Sequence, residues 1–581
     1  MKSVKSVASI LFALILAASA AGCGGSPVES VPEGPSSQPS ESLSVSNEPE
    51  VPSYLNLDSD LPVVKEGETV SMTMAVAQSS DYGDWKGSHF WNFVQQKMNI
   101  DVEVEQIFNR DEYVQLQFAA DALPDVMIGM NLTTADQIRY GMMEKQLIPL
   151  TEYVNDTYMP NLTKIYAENP SWESMIKAPD GNIYSFGYMW AITNASQYPK
   201  RQINTKWLEG LNLEMPTTLD RLIEALRAFK TMGDDIVPMG GSYTTYNPCY
   251  ILLNALGYVT NDSKGITPAL RDGEAVIPAG DRERYGEFLK LMNQFYNEGL
   301  VSSEFYTLDE IGTRAIIAEN KAGLINTDAF IDLPAVESFQ QYITMPPLTS
   351  QYCEEPFVMI NSPITTGGFV ITKECEYPEA AIRFANYIYS DEGNNMAWVG
   401  AVRGSENLLE GWGGWYLDEN YNRLDVDRVE NPDLYPNAVE YLRKRVAGFN
   451  MGAIGQNLNE FNWRPEANGL PPRDMKEVYL ANPTNGDFWF RASVIDNLMP
   501  YRTDEVYPYL TFFSEEENNR ITELSTVINA HIQEASAKFV TGARPFSELD
   551  AYFDELDALG FQEYLGYYKT AYETYLKNMN S

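Results

Sequence analysis

A change of pattern between Arg201 and Lys230 constrains the fold of this chain more than any other stretch. Gln202–Asn204 is short and extended in character. Residues 216–220 then place a hydroxyl three residues before a carboxylate, which is the order expected where a capped helix begins. The apolar residues that follow recur at helical spacing: Leu219, Leu222, Ile223, Leu226 and Phe229. We therefore predict that a strand leaves one lobe here and that the first long helix of a second lobe follows it.

The length of the chain supports this division. Single hydrophobic cores stop growing at roughly 250 to 300 residues, whereas this chain has 581. Its hydrophobic content of 44% is that of a globular protein. We expect two lobes rather than one core.

The charge balance excludes one large class of partners. The chain has 41 basic and 81 acidic residues, which gives a formal net charge of -40. Such a surface repels phosphate backbones and anionic membranes. We therefore predict no nucleic-acid partner.

The N-terminus has the pattern of an export signal. Lys2 and Lys5 precede an apolar run over residues 8–16 that is too short to span a membrane comfortably, and small residues follow it. Residues 20–23 (AAGC) resemble a bacterial lipobox, although Ala20 stands where leucine is preferred. We predict that residues 1–22 are a lipoprotein signal peptide and that Cys23 carries lipid, palmitate included. An ordinary secretory signal is the alternative, and both interpretations export the protein.

Residues 23–65 are rich in Ser, Pro and Glu and contain few large apolar side chains. A segment of this composition buries too little surface to fold. We predict that it is a disordered tether, so that the protein sits on the extracellular face of the cell membrane and touches it only through the lipid anchor.

The sequence offers little for metal or cofactor chemistry. Its only histidines are His89 and His531, which disfavours zinc sites and histidine-based triads. Asp418, Asn420 and Asn422 have the spacing of a calcium loop, but Arg423 stands where the turn glycine belongs. We predict no metal and no cofactor.

Along the chain, strand and helix patterns alternate. Residues 70–76 alternate apolar and polar, residues 89–98 have helical spacing, and residues 100–105 alternate again. A second helix over residues 111–122 leads to the apolar strand at residues 126–128, and residues 282–325 repeat the order in the second half. This order predicts an α/β protein with two doubly wound lobes.

Several ordered segments resemble one known family. They are residues 122–128 (ALPDVMI), 145–150 (KQLIPL), 178–184 (APDGNIY), 203–208 (INTKWL), 368–372 (GFVIT), 378–381 (PEAA) and 539–542 (FVTG). With the lipobox, they are similar to the extracellular solute-binding lipoproteins of ATP-binding cassette (ABC) importers. The likeness is to the carbohydrate-type family that includes maltose-binding proteins, in its long-chain Gram-positive branch, typified by paenibacilli.

The resemblance implies a type II periplasmic-binding-protein-like fold, with two lobes joined by hinge strands and a ligand cleft between them. On that map, residues 66–203 and 340–391 form the first lobe, and residues 204–339 and 392–581 form the second. The implied function is capture of an extracellular solute, with an oligosaccharide favoured, and its delivery to importer permease subunits by a monomeric protein without enzymatic activity.

The resemblance also suggests ligand-binding residues, which in this family lie on loops at strand ends. The candidates share a position at the end of a predicted strand or in a glycine-rich region: Asp81, Asp84, Trp85, Asn131, Tyr188, Trp190, Asp328, Arg403, Glu406, Trp412 and Trp463. Aromatic faces would cover the C–H surface of a sugar, and carboxylates, amides and arginine would bind its hydroxyls. For each tryptophan, a place in the hydrophobic core is the alternative.

Two other function classes stay open at this point. An extracellular carbohydrate-active enzyme needs only a suitably spaced carboxylate pair, which leaves no sequence signal among 81 acidic residues. A ligand-sensing lipoprotein would have the same architecture. GxSxG, HExxH, Walker and dinucleotide-binding motifs are absent from the sequence.

Overall fold

The computed structural model describes residues 51–78, 83–419, 421–433, 441–449, 452–457, 471 and 474–579. The contacts below lie within the unit Pro52–Ser581.

The strands, in chain order, are β1 Ser71–Ala77, β2 Asp101–Ile107, β3 Val126–Ile128, β4 Tyr188–Trp190, β5 Gln202–Asn204, β6 Val237–Met239, β7 Ala269–Arg271, β8 Glu274–Val276, β9 Ala322–Ile325, β10 Tyr342–Thr344, β11 Phe369–Ile371, β12 Trp415–Leu417, β13 Arg423–Asp425 and β14 Gly455–Asn457.

The α-helices are α1 His89–Phe93, α2 Arg110–Ala120, α3 Thr134–Asp136, α4 Pro160–Glu168, α5 Pro170–Met175, α6 Thr205–Gly210, α7 Leu219–Lys230, α8 Tyr250–Ala255, α9 Tyr285–Asn297, α10 Glu310–Ala318, α11 Ala329–Asp332, α12 Val336–Phe339, α13 Pro378–Ile388, α14 Asp391–Trp398, α15 Val426–Glu430, α16 Met475–Ala481, α17 Gly486–Asn497, α18 Glu515–Val540, α19 Leu549–Ala558 and α20 Phe561–Met579. Three π-helical segments, Val94–Met98, Gln137–Met143 and Leu442–Val446, extend or join them.

The first sheet has the strand order β11-β3-β1-β2. Strands β1, β2 and β3 are parallel, and β11 pairs antiparallel with β3. Both faces are covered: Met74 and Val76 join one buried cluster, and Ala75 and Met127 join another. The predicted β-α-β order is therefore confirmed for this half of the protein.

The second sheet has the strand order β10-β5-β9-β6. Its two faces are also covered, by a cluster that includes Ile203 and Leu324 and by one that includes Ile325 and Tyr342. The predicted helix after residue 216 is α7, and its apolar stripe is buried. Thr218 is the capping residue, and its side chain accepts a hydrogen bond from the Arg221 backbone amide at 3.2 Å.

The expected lobe boundaries differ from the sheets at two strands. Strands β5 and β10, which we placed in the first lobe except for Asn204, both pair within the second sheet. Ile203 is fully buried there, so the chain crosses between the sheets before it rather than at it. Extended character marks a strand in the sequence, but the sheet it joins depends on tertiary pairing.

Two other boundaries are also corrected. Met396 and Ile454 belong to the hydrophobic cluster of the first sheet, although residues 392–457 were assigned to the second lobe. Leu55, Val63 and Val64 are buried in the same cluster, so the end of the predicted tether, from residue 52 onward, is part of the folded body. A few apolar side chains in a polar stretch are enough to fold it onto an existing core.

The chain crosses between the sheets near residues 191–201 and 345–364, and residues 499–513 pack against the second of these; together we call them the crossing segments. Asn361 donates a backbone hydrogen bond to Gln197 at 2.7 Å, and Val358 donates one to Tyr501 at 2.7 Å. A small cluster that includes Tyr198, Val358 and Leu498 packs the segments together. These crossing segments form the floor between the sheets.

Candidate functional site

The carboxyl ends of β1, β2 and β3 meet at one edge of the first sheet, where a cavity of about 400 Å³ opens. We call it the first cavity. Its side-chain lining includes Gln78 after β1, Phe108 and Asn109 after β2, and Asn131 after β3. In open α/β sheets, ligands bind outside this edge.

A second cavity of about 570 Å³ adjoins the first one. Thr133 and Thr134 line it from the first sheet, and Thr365 and Tyr509 line it from the crossing segments. Asn131 and Gly452 line both cavities. The two cavities therefore form one groove along the floor between the sheets.

Close backbone approach shapes the middle of this groove. The Gly129 amide donates to the Gly368 carbonyl at 2.6 Å, and the Leu132 amide donates to the Gly367 carbonyl at 3.0 Å. A Cβ atom on Gly368 would lie 1.7 Å from the Ala453 carbonyl oxygen. Only glycine fits where these three chain segments meet.

A buried polar network holds the loops of the second cavity. The Ser185 hydroxyl donates to Gln137 Oε1 at 2.8 Å and accepts from the Gly367 amide at 2.8 Å. Gln137 Nε2 donates to the Leu132 carbonyl at 3.1 Å and to the Thr366 hydroxyl at 3.2 Å. Because Gln137 and Ser185 are fully buried, these bonds fix the loop after β3 against the loop before β11.

Among the described residues that line the groove, Arg110 and Asp111 are the charged ones. Arg110 Nε lies 2.9 Å from Asp111 Oδ1, so the two charges offset each other. The remaining lining consists of amides, hydroxyls, backbone groups and apolar side chains.

Among the predicted site residues that the structure describes, Asn131 is the one that lines the groove. Asn131 lines both cavities, with a left-handed φ of 51°. Asp84 is exposed and accepts a hydrogen bond from the Lys86 amide at 3.0 Å, which caps a short helical turn. Asp81 and Trp463, like Cys23, lie outside the described residues. A ligand contact by any of these side chains stays a prediction.

The prediction that Trp85 contacts ligand is wrong. Its side chain is fully buried in the hydrophobic core of the first sheet. The short turn Trp85–Gly87 directs it inward, since Asp84 caps that turn at the surface. An aromatic residue after a strand can lie either in a core or in a cleft, and Trp85 lies in the core.

The prediction for Tyr188 is also wrong, because strand β4 pairs with β14 and leaves the side chain fully buried. Its ring packs 4.8 Å from Trp190 and 5.2 Å from Trp398, and burial raises the pKa of its hydroxyl. Trp190 is half-buried, and its ring lies behind Gly452, about 4.0 Å from where a Cβ would stand. Trp190 therefore supports the wall of the groove.

Asp328 lies at the carboxyl end of β9 in the second sheet. Its Oδ1 is 3.0 Å from Lys200 Nζ, which in turn lies 3.7 Å from the centre of the Phe490 ring. Burial lowers the pKa of Lys200, although the charge of Asp328 opposes the shift. The pair thus joins β9 to the crossing segment that carries Lys200, and neither residue lines either cavity.

The structure does not bring the three predicted residues between 403 and 412 to the groove. Arg403 lies over the Tyr416 ring at 5.7 Å, and the Glu406 carbonyl accepts a hydrogen bond from Lys97 at 3.1 Å. Trp412 packs edge-on against His89 at 5.0 Å. The glycine-rich composition predicted loops correctly but not their location.

Sequence reasoning missed Phe108, Asn109 and Arg110. They follow β2, and the carboxyl end of β2 lies at the same sheet edge as those of β1 and β3. The predicted strand and helix order could have indicated them, because parallel strands have their carboxyl ends at the same edge of the sheet.

Asp418 and Asn422, which have calcium-loop spacing but for which we predicted no metal, are hydrogen-bonded to each other. The Asn422 amide donates to Asp418 Oδ1 at 2.9 Å, and Asn422 Nδ2 donates to Asp418 Oδ2 at 3.1 Å. Within the described part of the chain, no group of three or more His, Cys, Asp or Glu side chains could hold a metal ion.

Comparison with known proteins decides the family. Residues 77–395, more than half of the chain, match the family described as bacterial extracellular solute-binding protein. The chain belongs to this family.

Two curated relatives are similar to this solute-binding protein. The fructooligosaccharide ABC transporter substrate-binding protein FusA of Streptococcus pneumoniae serotype 4 is 24% identical over 483 residues, which cover 80% of this chain and 82% of FusA. Lipoprotein LipO of Bacillus subtilis is 26% identical over 133 residues, which cover 21% of this chain and 25% of LipO.

Solved structures share the fold. FusA from S. pneumoniae in complex with kestose superposes with a TM-score of 0.62 at 21% identity and covers 87% of this chain and 100% of its own. A human-milk-oligosaccharide (HMO) binding, ABC-transporter-associated protein of Bifidobacterium longum infantis gives a TM-score of 0.65 at 18% identity, with coverage of 87% and 99%. This solute-binding protein therefore has the mixed α/β substrate-binding protein fold.

Proposed function

We propose that this protein captures an extracellular oligosaccharide between its two sheets by hinged closure and delivers it to the permease of an ABC importer. The observation that carries the proposal is the groove at the carboxyl edge of the first sheet, which continues onto the crossing segments. A ligand there lies beside the part of the chain that would bend. Closure would then cover the ligand from the second sheet and remove it from water.

The chemistry of the groove suits a sugar. Phe108 offers an apolar face, and Asn109 and Asn131 offer amides. Thr134 and Thr511 add hydroxyls in the second cavity. Sugars combine an apolar ring face with a rim of hydroxyls, so they require both kinds of group.

The relatives support both parts of the proposal. FusA is named for fructooligosaccharides and for an ABC transporter, and the Bifidobacterium protein is named for human milk oligosaccharides. We propose the same class of ligand and the same class of membrane partner for this chain. The long-chain Gram-positive branch stays a prediction.

A binding role is favoured over hydrolysis. Glycosidases place two carboxyl groups across the scissile bond, about 5 to 9.5 Å apart. Among the described residues that line the groove, Asp111 is the one carboxylate, and it is paired with Arg110. We therefore propose that the protein is not an enzyme.

Calorimetric titration of the purified protein against a glycan panel, with chromatography of the ligand afterwards, tests this function. We expect saturable binding of at least one oligosaccharide, recovered intact. Product release, or no binding across neutral and anionic glycans, would contradict the proposal. Loss of labelled-oligosaccharide uptake in a deletion strain would distinguish import from sensing alone.

We also propose that the mature protein is monomeric and anchored through lipid on Cys23, on the extracellular face of the membrane. No helix among the described residues is long and apolar enough to cross a membrane. The signal pattern of residues 1–22 and the polar segment after it support an anchor of this kind. Metabolic labelling with a palmitate analogue should mark the wild type but not Cys23→Ser, and an unlabelled wild type would contradict the anchor.

A further inference from the structure

The charge of the groove limits the sugars that it can hold. Its described lining has one cation, Arg110, and one anion, Asp111, which lie 2.9 Å apart, so the lining carries no net positive charge. The chain as a whole carries a formal charge of -40. An anionic sugar would be repelled on approach and would lose its hydration in the closed cleft without an ion partner.

Phe108 is an exposed aromatic side chain within the concave surface. It is 65% exposed, although it directly follows a buried residue, Ile107, at the end of β2. Asn109 and the Arg110–Asp111 pair stand beside it in the first cavity. An apolar ring flanked by hydrogen-bonding groups matches the face of a pyranose or furanose ring.

The groove is longer than one cavity. The first cavity is about 400 Å³ and the second about 570 Å³, and they meet at Asn131 and Gly452. Gly452 has no side chain to divide them, and the loop that carries Asn131 is fixed by the hydrogen bond between Leu132 and Gly367. A chain of sugar rings can therefore continue from one cavity into the other.

We infer that the ligand is a neutral oligosaccharide that lies along both cavities with one ring stacked on Phe108. This inference rests on the proposed function, and it adds that the ligand is neutral, that it extends over both cavities and that one of its rings stacks on Phe108.

The preference for a neutral ligand is tested by titrating the protein with neutral oligosaccharides and with oligogalacturonates of matched length. We expect neutral ligands to bind and the uronates to bind at least about tenfold more weakly, even at low salt. Tighter binding of uronates would overturn the inference while leaving oligosaccharide capture intact. No binding of either class would instead contradict the proposed function.

The extended form is tested with two single variants, Phe108→Ala in the first cavity and Thr511→Val in the second. With the best neutral ligand of four or more rings, we expect each variant to weaken binding, Phe108→Ala by about tenfold. With a disaccharide of the same series, only one of the two variants should weaken binding.

Leu116→Ala is the matched control, because Leu116 is 58% exposed on α2 but outside the groove. It should bind both ligands as the wild type does. An unchanged affinity in Phe108→Ala, or equal losses in both variants for the disaccharide, would overturn the extended placement even where oligosaccharide binding itself is observed.

Discussion

Some side chains of the first sheet and its loops line the groove, and others stabilise the strands and loops around it. Asp125, just before β3, accepts hydrogen bonds from the Thr73 amide and hydroxyl, both at 2.7 Å, and so ties the start of β3 to β1. Trp85 and Phe108 both follow strands of the first sheet, yet one is fully buried and the other 65% exposed. Residue type alone could not separate these two aromatics, because burial depends on the packing of distant segments.

The buried position of Trp85 gives the first prediction. Trp85→Ala should lower the free energy of unfolding by about 3 to 5 kcal/mol, since it leaves a cavity in the core. Urea denaturation measures this change. Phe108→Ala is the control and should alter stability by about 0.5 kcal/mol or less, as an exposed substitution does. If Trp85→Ala keeps wild-type stability but loses ligand binding, Trp85 would instead be a ligand-binding residue.

His89 gives the second prediction. It is buried at the start of α1, and neither ring nitrogen has a hydrogen-bond partner among the residues that the structure describes. Burial lowers the pKa of His89 from 6.5 to about 4; Asp427 partly opposes the shift, and Arg445 adds to it. Between pH 4 and pH 6.5, the His89 side chain is protonated in the unfolded chain but not in the folded protein. The contribution of His89 to stability is therefore complete above pH 6.5 and falls as the pH drops toward 4.

We expect the free energy of unfolding to fall by up to about 1.4 kcal/mol per pH unit between pH 6 and pH 5 through this residue. Urea denaturation at several pH values measures the slope. His89→Gln removes the titrating group, so its slope should be shallower than that of the wild type. Equal slopes in the two proteins would show that His89 does not titrate in this way.

At the scale of elements, periodicity predicted what each segment forms but not where it packs. The apolar stripe of α7 and the alternation of β1 are both local patterns, and both elements form as predicted. The sheet to which β5 belongs, and the core that Met396 and Ile454 join, depend on long-range contacts that a single sequence does not display. The groove could not be predicted for the same reason, because its lining residues, from Ala77 to Thr511, come from loops far apart in the sequence.

Strand β11 and the glycines before it give the third prediction. Gly368→Ala should destabilise the protein by about 1 to 3 kcal/mol and weaken ligand binding, because the new methyl group would press on the Ala453 carbonyl and displace the groove wall. Urea denaturation and calorimetry measure the two effects. Gly87→Ala is the control, because a Cβ there meets nothing within 4 Å. Wild-type behaviour of Gly368→Ala would mean that the contact with Ala453 is not tight.

In the whole molecule, two sheets with separate cores are joined by the crossing segments, and the groove lies on the floor that these segments form. Bending of the crossing segments would move the second sheet toward the groove without disturbing either core. Asp328, which stands at the carboxyl edge of the second sheet, would approach the ligand only through such a movement. Length and alternation predicted two lobes, whereas the course of the crossing segments required the structure.

Hinged closure on ligand binding can be measured by small-angle X-ray scattering. The chain from Pro52 onward is suitable, because Pro52–Ser581 form one unit. The radius of gyration should fall when a saturating neutral oligosaccharide is added, and it should stay constant with a glycan that does not bind. An unchanged radius of gyration in the ligand-saturated protein would contradict capture by hinged closure.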